Sequence, residues 1–427
     1  MPASRNTVKP LSANGSATTT RRAEVTRAEY LYGPVERPLS VRALIRVPWL
    51  GAVAIFVSTL VALGLVWPHA TPYNNYVYLA DAILHGHLWV DTPDYIDALS
   101  YAGRRYVIEG PLPVLFVLPL AAIWHMDASQ TIVSWVLCAL ATAVAWLLAR
   151  RLGVPWRSRI VLTLFLLLGT DLFFCGAFGD VWFLAHVSAV AFTLLALYEV
   201  TGRKRGWLLM LWAICAVESR FSMLLALPAY LYLLMDGADP AERRRRFSSA
   251  TAVLIVAAAI WVKYNLLRWG LPYDIGYTAW YHQDSAGEPV GSPFQLKYLP
   301  MQLQAFFVLP PLVLRTFPFL APTQFGLALP FTSPGLVLAF FARRPVHLVL
   351  ALWAATILTA GPNFLYYVIG FVQFGMRHAL DFEPFLFALM CLSARTGLRW
   401  WGVLLCSLSV AAGIWGMAFW ITFYRHG

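Results

Sequence analysis

The sequence predicts an all-α polytopic membrane protein with about eleven spanning helices. Three observations carry that prediction. Of 427 residues, 59% are hydrophobic and only 12% charged, with a mean hydropathy of +0.64. A soluble domain carries about 25% charged residues, and half of that leaves too few to cover a water-facing surface. Apolar runs recur along the chain, and Lys and Arg fall in short clusters between them, as in cytoplasmic loops.

The elements follow in order. Residues 1–47 read as a cytoplasmic tail; 1–29 are polar and Ser/Thr/Arg-rich, a composition that favours disorder. The run at 49–67 has no clear small-residue cleavage site, so it reads as a retained first span. Further spans are expected near 128–149, 159–178, 181–200, 206–218, 220–235, 247–267, 324–342, 346–363, 379–393 and 400–421. The region 206–235 is divided at Glu218-Ser-Arg220. Two other apolar runs do not read as spans. One, 110–125, carries Pro111, Pro113 and Pro119; the other, 301–320, carries Pro310, Pro311, Pro318 and Arg315.

Charge placement decides between the counts. If 110–125 crossed, the Arg150/Arg151/Arg157/Arg159 cluster would fall outside, against the positive-inside tendency. Omitting both runs puts that cluster inside. Arg203/Lys204/Arg205, Arg243–Arg246, Arg343/Arg344 and Arg395/Arg399 join it there. The N-terminus is then inside and the C-terminus outside, with one transmembrane domain over 48–427. The same clustering explains the net charge of +11 without nucleic acid as a partner. The five cysteines show no CxxC or metal-type spacing, so neither a disulfide nor a zinc site is read.

Two long extracytoplasmic loops result, 68–127 and 268–323, and loops of that length are usually functional. In the first, Tyr76, Leu79, Ala80, Ile83, Leu84 and Leu88 repeat at helical spacing, with Asp81 and His85 on the other face. That pattern predicts an amphipathic helix lying on the membrane plane. Tyr95–Glu109, with Ala102-Gly103 in its middle, has the form of a hairpin.

Ionisable residues gather on this outer side. They include Asp81, Asp91, Asp94, Asp97 and Glu109 in the first loop, and Glu218, Arg220, Lys263, Arg377, His378 and Asp381 near span ends. A charge inside a span costs about 2.5–3.5 kcal/mol on insertion scales, so such groups face a polar cavity or a partner. Cations beside acids at an outer leaflet suit transfer from a lipid-linked phosphate. The cations stabilise charge growing on the leaving phosphate, and a carboxylate accepts the proton of the attacking hydroxyl. Plainer roles stand beside these. Glu218 and Arg220 also suit pairing, and Lys263, Arg377 and His378 suit snorkelling to headgroups. Asp91, Asp94 and Asp97, spaced by three, suit a solvated loop or a divalent metal site.

Several fragments resemble the GT-C superfamily of membrane glycosyltransferases, which includes protein O-mannosyltransferases and aminoarabinose transferases. Tyr76–Val90 looks like that family's first juxtamembrane helix, and Gly110-Pro-Leu-Pro113 resembles the start of its second. Lys263-Tyr-Asn265, Gly270-Leu-Pro272, Gly276-Tyr277 and Phe374–Pro384 resemble tracts of bacterial members. The resemblance implies a bacterial inner or plasma membrane and transfer of a sugar from a polyprenyl-phosphate donor to an extracytoplasmic glycan, lipid or protein. It also implies Arg220, Lys263 and Arg377 on the donor phosphate, and the candidates for a catalytic acid in the first loop are Asp81, Asp91 and Asp94. Glu109, Glu218 and His378 would support them. The family's usual acid follows the first span, where this chain has Asn74 and Asn75 instead. A transporter or flippase, or a non-catalytic relative of such enzymes, is the alternative.

Overall fold

The computed structural model describes residues 48–67, 69–93 and 96–424. The tail 1–47 therefore lies outside the described residues, as does Asp94.

Helix α1 (Pro48–Val66) starts on a proline, which tolerates the first turn because its missing N–H has no partner there. Its Val53, Val57, Val61 and Leu65 make an exposed apolar stripe at four-residue spacing. The outer loop follows. Helix α2 (Asn75–Leu84) is followed by strands β1 (Leu99–Tyr101) and β2 (Arg104–Tyr106), and then by α3 (Val114–Trp124). The strands pair Leu99 with Tyr106 and Tyr101 with Arg104. Ala102 and Gly103 turn between them with φ of 49° and 75°, the left-handed pair a two-residue hairpin needs. The apolar face of α2 packs on α3 rather than on lipid; Tyr76, Leu79 and Ala80 are buried, while Leu84 is exposed.

The bundle continues with α4 (Gln130–Arg151), α5 (Trp156–Leu168), α6 (Leu172–Phe178), α7 (Val181–Val200) and α8 (Gly206–Ser219). A 3-10 turn (Phe221–Ala226) leads into α9 (Leu227–Met235). Helix α10 (Pro240–Trp269) is 30 residues long, about 45 Å. It is well bounded: Asp239 accepts the Glu242 N–H at 2.8 Å, and Gly270 ends it at φ 71°. Beyond it lie α11 (Gly276–Gln283), α12 (Leu299–Phe307), the strands β3 (Leu312–Val313) and β4 (Leu320–Ala321), and α13 (Leu329–Thr332). A second 3-10 run (Pro334–Phe341) leads to α14 (Val346–Leu365). A third (Arg377–Asp381) leads to α15 (Glu383–Ser393), and α16 (Trp400–Phe419) runs into a π-helical turn (Trp420–Tyr424).

Among the described residues, six helices are long and apolar enough to cross a membrane, and seven if the bent pair α5–α6 counts as one span. The chain is thus a multi-pass membrane protein with a lipid environment, but the expectation of about eleven spans is corrected. Local breaks explain the difference. Arg220 takes an extended conformation (φ −145°, ψ 111°), so 206–235 splits where the charges predicted. Helices α5 and α6 meet at 50° across Gly169–Asp171. Pro334 opens a 3-10 run instead of an α-helix, and α15 has only 11 residues. The apolar pattern was therefore real, but several segments are shorter than the ~30 Å hydrocarbon core. Helices α3 and α12, with 11 and 9 residues, are also too short to span.

The basic clusters meet at one end of the bundle. Arg151 donates to the Tyr198 carbonyl, and Arg205 reaches Glu199 at 2.7 Å. Lys204 and His347 both approach Asp236, at 3.6 and 3.3 Å. Arg246 donates to the Leu234 carbonyl at 2.7 Å, and Arg395 to the Leu152 carbonyl at 2.9 Å. Helices α8, α10 and α14 leave this end and carry Glu218, Arg268 and Leu365 to the other.

Two outcomes check this arrangement. Single cysteines at Asp91 and Arg244 should label from opposite sides of a sealed vesicle; labelling from one side contradicts the fold. A Cβ at Gly413 would meet the Leu168 carbonyl at the α5–α6 bend. Gly413→Ala should therefore cost about 1–3 kcal/mol, read as a lower melting temperature in detergent.

Candidate functional site

The α8 break places the candidate site. Gly110 lies against the carbonyls of Glu218 and Ser219, so closely that no Cβ would fit, and the Leu112 N–H donates to the Glu218 carbonyl at 3.1 Å. The proline-bearing segment before α3 is thereby fixed to the end of α8. Glu109 and Glu218, separate in sequence, come to one wall.

That wall bounds a cavity of about 770 Å³. Its polar lining is Glu109, Glu218, Arg220, Ser222, Arg268, Asp274, Tyr277, Asn363 and Tyr366. Its apolar rim is Phe221, Leu224 and Leu225 of the 3-10 turn, Trp261 of α10, and Ile357 and Leu358 of α14. Phe221 and Ile357 are also 57% and 66% exposed on the apolar outer surface. The cavity thus has a polar floor and a rim continuous with the lipid-facing surface of the bundle.

Arg220 is held by a buried carboxylate behind the cavity. Asp381 accepts its Nε at 3.2 Å and its Nη2 at 3.1 Å. The same Nη2 lies 3.3 Å from Nδ1 of His378; a guanidinium only donates, so that nitrogen is the acceptor. Asp381 also accepts from His186 Nδ1 at 3.0 Å, Ser222 Oγ at 2.6 Å and Asn363 Nδ2 at 3.1 Å. Arg268, in the last turn of α10, donates to the Val107 carbonyl at 2.6 Å and lies 3.8 Å from Asp274. Its guanidinium stacks over Tyr264 and Trp269, at 4.7 and 4.2 Å from the ring centres.

Glu109 differs from these ordered groups. It is 5% exposed, its Oε2 has no hydrogen-bond partner, and it forms no ion pair among the described residues. Burial pushes its carboxyl up to about 7, against its own backbone hydrogen bond; Asp97 adds to the rise, and Arg268 and Arg220 oppose it. Such a group exchanges a proton near neutral pH, which is what a general acid or base requires.

The other expected site residues separate. Asp81 and Asp91 lie away from the cavity wall: Asp81 faces outward, 3.5 Å from His85, and Asp91 is exposed. Of the expected phosphate ligands, only Arg220 lines the cavity. Lys263 is exposed. Arg268, five residues on, is rotated by about 140° around the helix and points inward instead. Arg377 is buried on the far side of its 3-10 run. It lies 5.6 and 5.5 Å from the Trp182 and Phe183 ring centres and donates to the Phe371 carbonyl at 3.3 Å. Glu218 reaches the wall, while His378 stands behind Arg220. Asn75, near the place of the family's usual acid, is buried and donates to the Asp97 carbonyl at 2.8 Å. It anchors the hairpin. No group of three or more His, Cys, Asp or Glu among the described residues is arranged to hold a metal.

Fold and cavity together define a multi-pass membrane protein with a polar site open to its lipid-facing surface. No protein-family model, curated protein or solved structure matches the chain.

The Glu109 carboxyl should react with a hydrophobic carbodiimide when protonated. Modification followed by mass spectrometry should fall as pH rises through about 7. Undiminished labelling well above that pH would contradict the burial-driven shift.

Proposed function

We propose that the protein transfers a sugar from a polyprenyl-phosphate donor to an extracytoplasmic acceptor, with its N-terminus in the cytoplasm. One observation carries the reading: a buried carboxyl with one oxygen unbonded, Glu109, shares a cavity with two guanidinium groups and a rim exposed to lipid. A lipid-linked donor needs each part. Its chain stays in the bilayer along Phe221, Leu225 and Ile357, while its phosphate reaches Arg220 and Arg268. The acceptor hydroxyl oxygen bonds to the anomeric carbon, and the bond from that carbon to the phosphate oxygen breaks. The bonding pair leaves with the phosphate, and the hydroxyl proton passes to Glu109. Tyr277 and Tyr366 offer aromatic faces and hydroxyls to the sugar.

A second reading, a flippase for a lipid-linked substrate, is favoured by the bent pair α5–α6. Broken helices mark the binding region of many transporters. That bend is lined by Phe173, Phe174 and Phe374 around a separate apolar pocket, not by the charged cavity.

Purified protein in liposomes should transfer label from a polyprenyl-phosphate sugar. Glu109→Gln should lower the rate by about 100-fold or more, the usual share of a general base. Lys263→Ala should leave it unchanged. Wild-type rate should climb as pH rises through about 7, because only the deprotonated carboxylate accepts the proton. Full activity in Glu109→Gln would remove the base assignment. Lipid translocation without sugar transfer would favour the flippase.

A further inference from the structure

Asp381 does not line the cavity and is fully buried, yet it is the most heavily bonded side chain near it. Its donors come from four parts of the fold: His186 on α7, Arg220 at the α8 break, Ser222 in the following 3-10 turn and Asn363 on α14. The two oxygens divide them. Oδ1 takes Arg220 Nε and His186; Oδ2 takes Arg220 Nη2, Ser222 and Asn363. The guanidinium is therefore gripped in two-point, planar fashion on one edge. Nη1 makes no hydrogen bond among the described residues, and Arg220 itself lines the cavity. A flexible arginine would otherwise sample many rotamers at the mouth of a lipid-facing opening.

We infer that Asp381 is a positioning residue: it aims the free edge of Arg220 into the cavity and so sets the grip on a phosphate monoester or diester that it never touches. This rests on the reading of the cavity as a lipid-phosphate site. The neutral donors matter to it. Ser222, Asn363 and His186 share the Asp381 charge, so the carboxylate holds Arg220 without needing all of its attraction. Asp381 is thus a fixed brace, not a rival anion for the arginine.

The test compares binding of farnesyl monophosphate and of farnesol to the full chain in nanodiscs. Wild type should prefer the phosphate. Asp381→Asn should weaken phosphate binding by about tenfold, the usual scale of a charged hydrogen bond, and Ser222→Ala by about threefold. Farnesol binding should not change in either. In the Arg220→Gln background, Asp381→Asn should have almost no further effect, because a brace acts only through what it braces. If either charge-removing variant fails to fold, Ser222→Ala and Asn363→Ala decide: each should weaken farnesyl monophosphate binding and leave farnesol binding unchanged, and unchanged phosphate binding in both overturns the inference. Phosphate binding that is unchanged or tighter in the variants overturns the inference, and so does an equal loss with and without Arg220. A wild type that binds both lipids alike instead overturns the cavity reading, and the inference with it.

Discussion

The structure around the cavity depends on one buried ion pair, Arg220 with Asp381. A guanidinium inside an apolar bundle is costly unless it is paired and its donors are used. Here the solution also shapes the fold. To reach Asp381, Arg220 leaves helical geometry, which ends α8 and starts the 3-10 turn. The same carboxylate ties α7 through His186 and α14 through Asn363. Three helices thus converge where the membrane-spanning pattern is interrupted, and the interruption opens the cavity. Removing either charge would leave the other buried and unpaired, at a cost of about 3–5 kcal/mol.

The cavity owes its second wall to a backbone contact. Gly110 fits beneath the end of α8 only because it has no side chain. That contact brings Glu109 into the same cavity lining as Arg220 and Arg268, where it forms no ion pair among the described residues. Burial there, without an ion pair among the described residues, is what raises the Glu109 carboxyl toward neutrality. The rim divides the same space by polarity, with Phe221, Leu225 and Ile357 toward lipid and the charged groups inward.

Much of this was legible in the sequence, for reasons that are local. The hairpin follows from Ala102-Gly103, and the split of 206–235 follows from placing Glu218 and Arg220 in an apolar run. The basic clusters share one end because loops with like charge share one face. What was missed depends on distance along the chain. Asp381 and Arg220 are far apart in sequence, and nothing local pairs them. Asp81 and Asp91 were plausible acids by loop position, but they face outward. Glu109 was seen only as support because its depth comes from α8. Lys263 and Arg268 lie about 140° apart around α10, and which of them meets the cavity is set by packing against α8 and the outer loop, which nothing local in the sequence shows. The span count fell because an apolar run signals burial in lipid or in protein alike, and α15 is covered by the bundle itself.

The central claim is that this cavity receives a lipid-linked phosphate. The most direct measurement is an experimental structure of the protein with a non-hydrolysable polyprenyl-phosphate sugar. The phosphate is expected between Arg220 and Arg268, with the chain leaving past Phe221 and Ile357 and the anomeric carbon facing Glu109. A phosphate bound instead at Arg377, or at the basic end near Arg205 and Arg246, would contradict it.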